Sequence, residues 1–140
     1  MSEAKRGAEI ERLQQMLNVP GVGILTFDPA TGVLIDSNDA FLEMSGYTRE
    51  MVDRRELTWR MMTPDEWVAI SEVEMQVLEK TGRIGPYEKE YFKADGSRCW
   101  MLFSGAQMDD GTVLEYCIDI TKLRPPTKSE QSDPAREADN

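Results

Sequence analysis

The chain has 140 residues, 40% of them hydrophobic and 30% charged, proportions typical of one soluble folded domain. Its net charge of −10 argues against partners with negatively charged surfaces, namely nucleic acids and membranes. No apolar run reaches the roughly 18–20 residues of a membrane span. The N-terminus also lacks the apolar core of a secretory signal, so we expect a cytoplasmic protein.

The absence of histidine limits the chemistry open to this chain. Histidine is the commonest general base and the usual protein ligand of haem and zinc. The sequence also shows no nucleophile paired with a base. It therefore predicts neither an enzyme nor a metal site.

Residues 1–18 predict an amphipathic N-terminal helix that ends near Asn18 and Pro20. Its apolar stripe consists of Ile10, Leu13, Met16 and Leu17. The short apolar runs Val22–Phe27 and Val33–Ile35 follow, separated by turn residues, and predict a hairpin of two strands.

Helix signals occupy the middle of the chain. Asn38 is a typical N-cap residue and Gly46 a typical helix stop, so a short helix is predicted between them. Thr63–Glu66 has the pattern of a capping box with proline at the first helical position, and Gly82 ends the helix that follows. The apolar stripe of this second helix consists of Trp67, Ile70, Val73, Val77 and Leu78.

Three antiparallel strands are predicted next, because β-branched and aromatic residues alternate between two turn signals, Asp95-Gly96 and Asp109–Gly111. The strand segments are Pro86–Lys93, Ser97–Met108 and Thr112–Ile120. A three-residue turn at Asp109–Gly111 places Phe103 opposite Cys117.

That register sorts the last two strands into two faces. The more continuously apolar face, which we expect the helices to cover, holds Trp100, Leu102, Ser104, Ala106, Met108, Leu114, Tyr116, Ile118 and Ile120. The other face holds Met101 and Phe103, and we expect a helix or a second chain to cover it. The backbones of Cys99 and Cys117 lie roughly 13 Å apart in this register, beyond the ~7 Å limit of a disulfide.

The order of elements and four local motifs resemble the PAS family over about Val19 to Arg124. The motifs are Ser37–Phe41, Ser45–Glu50, Asp95-Gly96 followed by Trp100, and Asp119–Thr121. The resemblance implies an α+β fold: a five-stranded antiparallel sheet in spatial order 2-1-5-4-3, with helices on one face. The domain boundaries are then 1–18 for the N-terminal helix, 19–124 for the PAS-like domain and 125–140 for a polar, acidic tail whose composition predicts disorder.

A ligand cavity between sheet and helices is the family's usual binding site. The candidates to line it here are Trp59, Met62, Trp67, Tyr91, Trp100, Leu102, Ser104, Tyr116 and Ile118. A fully packed core without a ligand is the alternative. We expect no covalently bound cofactor, and the identity of any other is open. The missing histidine argues against haem. Flavin-binding light sensors of the related light-oxygen-voltage group and photoactive-yellow-protein-like domains carry a reactive cysteine on the helical side, whereas no cysteine precedes Cys99.

The predicted function is a signal-sensing and protein-interaction module that responds to a small ligand or a partner, such as a sensor kinase of bacterial-type signalling. The alternative is a cofactor-bound redox or light sensor. The resemblance assigns signal transmission to Asp119 and Thr121. Pro125-Pro126 follows after three intervening residues, which favours a stand-alone protein over a fragment with a helical output stalk. A homodimer is expected through Ile10, Leu13, Met16, Leu17, Met101 and Phe103.

Overall fold

The helices and strands follow the predicted order. The structure, a computed structural model, describes residues 2–124, so the predicted disorder of 125–140 lies outside the described residues. The helices are α1 (Glu3–Leu17), α2 (Asp39–Ser45), α3 (Arg49–Asp53) and α4 (Asp65–Thr81). The strands are β1 (Val22–Phe27), β2 (Leu34–Ser37), β3 (Arg83–Phe92), β4 (Arg98–Gln107) and β5 (Val113–Asp119), and a 3-10 turn follows at Thr121–Leu123.

The five strands form one antiparallel sheet in the order β2-β1-β5-β4-β3, as expected. The predicted register of the last hairpin is confirmed, because Phe103 pairs with Cys117. Its turn is closed by the Met108 amide, which donates to the Thr112 carbonyl oxygen at 2.7 Å. Within residues 2–124, no helix combines the length and apolar character needed to cross a membrane.

The face of this hairpin that the helices cover is the opposite of the predicted one. Met101 and Phe103 are 0% and 3% exposed and belong to the main hydrophobic core, together with Cys117. By contrast, Leu114 and Tyr116 are 38% and 42% exposed. The prediction that Met101 and Phe103 would be available to a partner was therefore wrong.

The error has a physical origin, because alternation along a strand separates two faces without saying which one the helices cover. The prediction chose the face with fewer polar residues. The interior face instead includes Lys89 on β3 and Glu115 on β5, both buried. Lys89 is held there by hydrogen bonds to the hydroxyls of Thr63 and Ser71, and the large apolar side chains of Met101 and Phe103 lie on the same face.

The predicted helix caps differ in outcome. Asn38 caps α2 by accepting a hydrogen bond from the Phe41 amide, and Gly46 ends that helix with φ of 80°, as expected. The predicted capping box of α4 was wrong, because its N-cap residue is Pro64 and no side chain caps it. The Thr63 hydroxyl instead donates to the Trp59 carbonyl oxygen and accepts from Lys89 Nζ.

Candidate functional site

A small cavity lies in the interior between the sheet and α4, and we call it the buried chamber. The volume open to the centre of a water molecule is ≈ 20 Å³. A cavity needs about 10–15 Å³ of such volume to hold one water molecule. Its polar lining consists of Ser71, Tyr87, Lys89, Tyr91 and Glu115. The rest of the core is filled by protein side chains, so the predicted alternative of a packed core describes most of the interior.

Lys89 is the unusual residue of the chamber, because it is only 3% exposed. Its Nζ donates to the hydroxyls of Thr63 and Ser71, both at 2.9 Å. It also lies 5.0 Å from the ring centre of Phe103 and 5.6 Å from that of Trp59. Burial lowers the pKa of Lys89 to about 8, although the Glu115 carboxylate acts in the opposite direction.

Glu115 is the acidic counterpart of Lys89 and is 6% exposed. Burial raises the pKa of Glu115 to about 7, Lys89 opposes this rise, and Glu74 adds to it. Among the described residues no ion pair within 4.0 Å joins Glu115 to Lys89. The two charges therefore face a common cavity without direct contact.

The predicted lining residues divide between the two sides of the sheet. Trp59, Met62 and Tyr91 line the chamber, and the Tyr91 hydroxyl donates to Met62 Sδ at 2.8 Å. The predicted residues that lie outside the interior are Trp67, Trp100, Leu102, Ser104, Tyr116 and Ile118. The strand residues among these lie on the face of the sheet away from the core, because they alternate with the buried positions of β4 and β5.

This second face is the outer face, defined by Trp100, Leu102, Leu114, Tyr116 and Ile118. Beside it stands α1, which buries none of its residues. The apolar side chains of α1 are conspicuously accessible, with Leu13 54% and Met16 62% exposed. A groove of ≈ 440 Å³ runs between the end of α1 and the sheet, and Leu17, Ile24 and Leu114 are among its walls.

Asn38 connects α1 to the core. Its Oδ1 accepts from the amides of Ile24 and Phe41 at 2.9 and 3.0 Å. Its Nδ2 donates to the carbonyl oxygens of Leu17 and Val22 at 2.5 and 2.9 Å. One side chain thus holds the last turn of α1, the first strand and the start of α2 together.

Substitutions at Asn38 separate these roles. Asn38→Ala removes all four hydrogen bonds and is expected to lower the free energy of unfolding by about 2–4 kcal/mol. Asn38→Asp keeps the Oδ1 acceptor but replaces the Nδ2 donor with a carboxylate oxygen that faces the Leu17 and Val22 carbonyl oxygens. The repulsion is expected to release the end of α1. Urea unfolding measures the first effect and amide hydrogen exchange across Glu11–Leu17 the second. Unchanged exchange of α1 in Asn38→Asp would contradict this assignment.

The end of the described chain is fastened to the outer face. Asp119 Oδ1 accepts from the Thr121 amide at 2.9 Å, and the Thr121 hydroxyl accepts from the Trp100 amide at 3.0 Å. The Arg124 guanidinium stacks 3.6 Å from the ring centre of Trp100. The other side of this cluster is α4, because the rings of Trp67 and Trp100 meet edge to face at 5.3 Å. Asp119 and Thr121 thus position the point at which the chain leaves the domain.

Comparison with known proteins decides the family. The family model of the PAS domain matches residues 21–122. The chain belongs to the PAS family. The match covers all five strands of the sheet and the helices α2, α3 and α4.

Relatives of this PAS domain occur in signalling proteins. The hybrid signal transduction protein dokA of Dictyostelium discoideum is 34% identical over 110 residues, which is 77% of this chain. The chain spans only 6% of the length of that relative. The family match and this relative establish a PAS domain, of a kind that is also found in a signal transduction protein.

Solved PAS structures share the fold. A PAS domain from Colwellia psychrerythraea superposes with a TM-score of 0.69 at 18% identity, covering 81% of this chain and 98% of that one. A domain of a sensory box sensor histidine kinase/response regulator from Geobacter sulfurreducens gives a TM-score of 0.65 at 18% identity, covering 79% and 94%. At this identity the likeness concerns the fold.

Sequence reasoning missed the charged interior of this PAS domain. Lys89 and Glu115 were not among the candidate site residues, although each alternates with buried neighbours along its strand. Lys89 lies between Tyr87 and Tyr91, and Glu115 lies between Val113 and Cys117. The available signal was a charged residue that occupies the same face of its own strand as the large side chains two positions away on either side.

Proposed function

We propose that this PAS domain is a sensing and interaction module that forms a homodimer through α1 and the outer face, and that a small ligand or a partner protein changes this association. It acts by binding and not by catalysis. Its partner is a signalling protein such as a sensor kinase, and its place of action is the cytoplasm. The relative dokA supports the signalling context, because it is a hybrid signal transduction protein.

The observation that carries the proposal is the exposure of α1. A helix with Ile10, Leu13, Met16 and Leu17 all at least 44% exposed loses stabilisation that burial of these side chains would supply. The outer face offers the complementary surface, with Leu114 and Tyr116 accessible beside the groove. Pairing of two copies would cover both apolar surfaces at once.

Electrostatics favours a second copy held by apolar contacts over one held by ion pairs. The chain carries 26 acidic and 16 basic residues, so two copies repel each other over most of their surfaces. The interface must then exclude most charge, and the apolar stripe of α1 meets this requirement. Shared polar contacts at its rim are expected to contribute little.

We also propose that the domain holds neither haem nor flavin. The interior supports this view, because the buried chamber has a volume of only ≈ 20 Å³. Either group would require the core around Phe27, Met62 and Phe103 to open extensively, and these side chains are all at most 3% exposed. Signalling through Asp119 and Thr121 is proposed on the contacts that these residues make at the chain exit.

A charge placed in the stripe of α1 tests the dimer. Leu13→Asp is expected to weaken self-association by at least about 30-fold, because an unpaired carboxylate would be buried at the centre of the apolar contact. Gln15→Asp adds the same charge on the opposite side of α1 and is the matched control. Sedimentation equilibrium over a range of concentrations should show dimers for the wild type and Gln15→Asp, and monomers for Leu13→Asp. A wild type that stays monomeric throughout contradicts the proposal.

A further inference from the structure

The buried chamber carries a second inference, which rests on the proposed ligand response and specifies the ligand. Lys89 Nζ has three donors, and two of them are used by the hydroxyls of Thr63 and Ser71. One donor therefore remains. Glu115 supplies hydrogen-bond acceptors on the same cavity. Among the described residues, no Lys or Arg side-chain nitrogen lies within 4.0 Å of its carboxylate oxygens.

The charges around the chamber select against a charged ligand. Lys89 and Glu115 cancel each other, and Glu74 contributes a further negative charge from α4, where it accepts a hydrogen bond from the Gly85 amide. An anion would face the Glu115 carboxylate with Glu74 adding to the repulsion, and a cation would face the buried ammonium of Lys89. A neutral group that both accepts and donates a hydrogen bond satisfies Lys89 and Glu115 together without adding charge to the interior.

The size of the chamber limits the polar part of the ligand, and the neighbouring cavity shows where the rest can go. The chamber admits a group of about the size of one water molecule, such as a hydroxyl. Trp59 and Met75 line the chamber on one side and an outer cavity of ≈ 380 Å³ on the other. These two side chains are the wall between the polar interior and the outer cavity.

The wall has one flexible member, Met75, beside the Trp59 ring. The centre of that ring lies 4.8 Å from the Arg60 guanidinium carbon and 5.6 Å from Lys89 Nζ. Both Trp59 and Met75 are half-buried and belong to the edge of the core. Met75 is unbranched and adopts several shapes at low cost, so displacement of the wall leaves the strands in place.

We propose that Lys89 and Glu115 form the head-group site for a small neutral hydroxyl compound, whose apolar body passes between Trp59 and Met75 into the outer cavity. The hydroxyl oxygen accepts from Lys89 Nζ, and the hydroxyl proton is donated to the Glu115 carboxylate. The apolar body contacts the indole ring and the thioether. A short-chain alcohol is the simplest member of this class.

Three probes with one tail and different head groups test the proposal on the wild-type protein. They are 1-butanol, butyrate and butylammonium, titrated while amide resonances are followed by NMR. The expected result is saturable shifts with 1-butanol, concentrated at residues around the chamber. Butyrate and butylammonium are expected to bind at least about tenfold more weakly, because each would bring a further charge into the interior.

A variant pair checks the assignment to Lys89 and Glu115. Lys89→Met combined with Glu115→Gln removes both charges together, so neither is left unpaired, and is expected to weaken 1-butanol binding about tenfold. Lys80→Met combined with Glu79→Gln makes the same two substitutions at exposed positions near the end of α4. This matched control should bind as the wild type does. The same samples are examined for oligomeric state by sedimentation.

Three results overturn the proposal: butyrate or butylammonium binding as tightly as 1-butanol, shifts that rise linearly over the whole surface, and unchanged 1-butanol binding in the double variant of Lys89 and Glu115. Each leaves the dimer proposal standing if the wild type sediments as a dimer. Conversely, saturable 1-butanol binding by a monomeric protein supports the head-group site and contradicts only the dimer.

Discussion

Phe103→Ala is expected to lower the free energy of unfolding by about 3–5 kcal/mol, whereas Leu102→Ala, one position earlier, is expected to lower it by only about 1 kcal/mol. The difference follows from the two faces of β4. Phe103 is 3% exposed and packs against the rings of Tyr87 and Tyr91 at centroid distances of 5.7 and 5.9 Å. Leu102 lies on the outer face and is only half-buried.

Urea unfolding followed by circular dichroism measures both values. Both substitutions are made in the Leu13→Asp variant. In that variant the dimer interface does not contribute to the effect of Leu102→Ala on the free energy of unfolding. Equal losses in the two variants, or a larger loss for Leu102→Ala, would show that the helices cover the other face. The comparison therefore tests the side of the sheet that sequence reasoning assigned wrongly.

Lys89→Met is expected to destabilise the protein by about 3–5 kcal/mol at pH 8 and by less than about 1 kcal/mol at pH 5. Without the ammonium, no cation opposes the effect of burial on Glu115, so its folded pKa rises further above the unfolded value of 4.5. A carboxyl group whose folded pKa is raised contributes full stability below its unfolded pKa. That contribution is lost as the pH rises from the unfolded pKa towards the folded one.

Denaturant titrations at the two pH values measure this effect. The double variant Lys89→Met with Glu115→Gln should recover most of the stability at pH 8, because no buried charge remains unpaired. A loss in Lys89→Met that is equal at both pH values would show that Glu115 is not the cause. No recovery in the double variant would assign the loss to the hydrogen bonds with Thr63 and Ser71.

The sequence predicted the order of elements, most of their ends and the strand register, because these depend on local signals. Gly46 ends α2 since it adopts a left-handed conformation, and the turn at Asp109–Gly111 fixes Phe103 opposite Cys117. Such features need only neighbouring residues, and the family motifs repeat the same local chemistry. The fold could therefore be predicted from the sequence alone.

The interior of the site was harder to predict from the sequence, because it depends on which face of the sheet the helices α2, α3 and α4 cover. Hydrophobic pattern alone favoured the face of Trp100 and Tyr116, since both faces of the sheet carry large apolar residues. The prediction for Thr63 failed for a similar reason. The sequence pattern indicates that its hydroxyl caps a helix, but in the fold this hydroxyl accepts a hydrogen bond from Lys89 Nζ. Contacts between residues 26 positions apart leave no local signal.

The hydrogen bond from Asn38 to the last turn of α1 makes that helix a lever. The helix has 15 residues, which gives a length of about 22 Å, and its anchored end lies at the Leu17 carbonyl oxygen. A tilt of about 5° at this pivot moves the far end by about 2 Å, simply by the ratio of arc to radius. The amides of Ile24 and Phe41 both donate to the same Asn38 side chain. Sub-ångström displacements of these two residues are thereby magnified at the far end of α1, near Glu3.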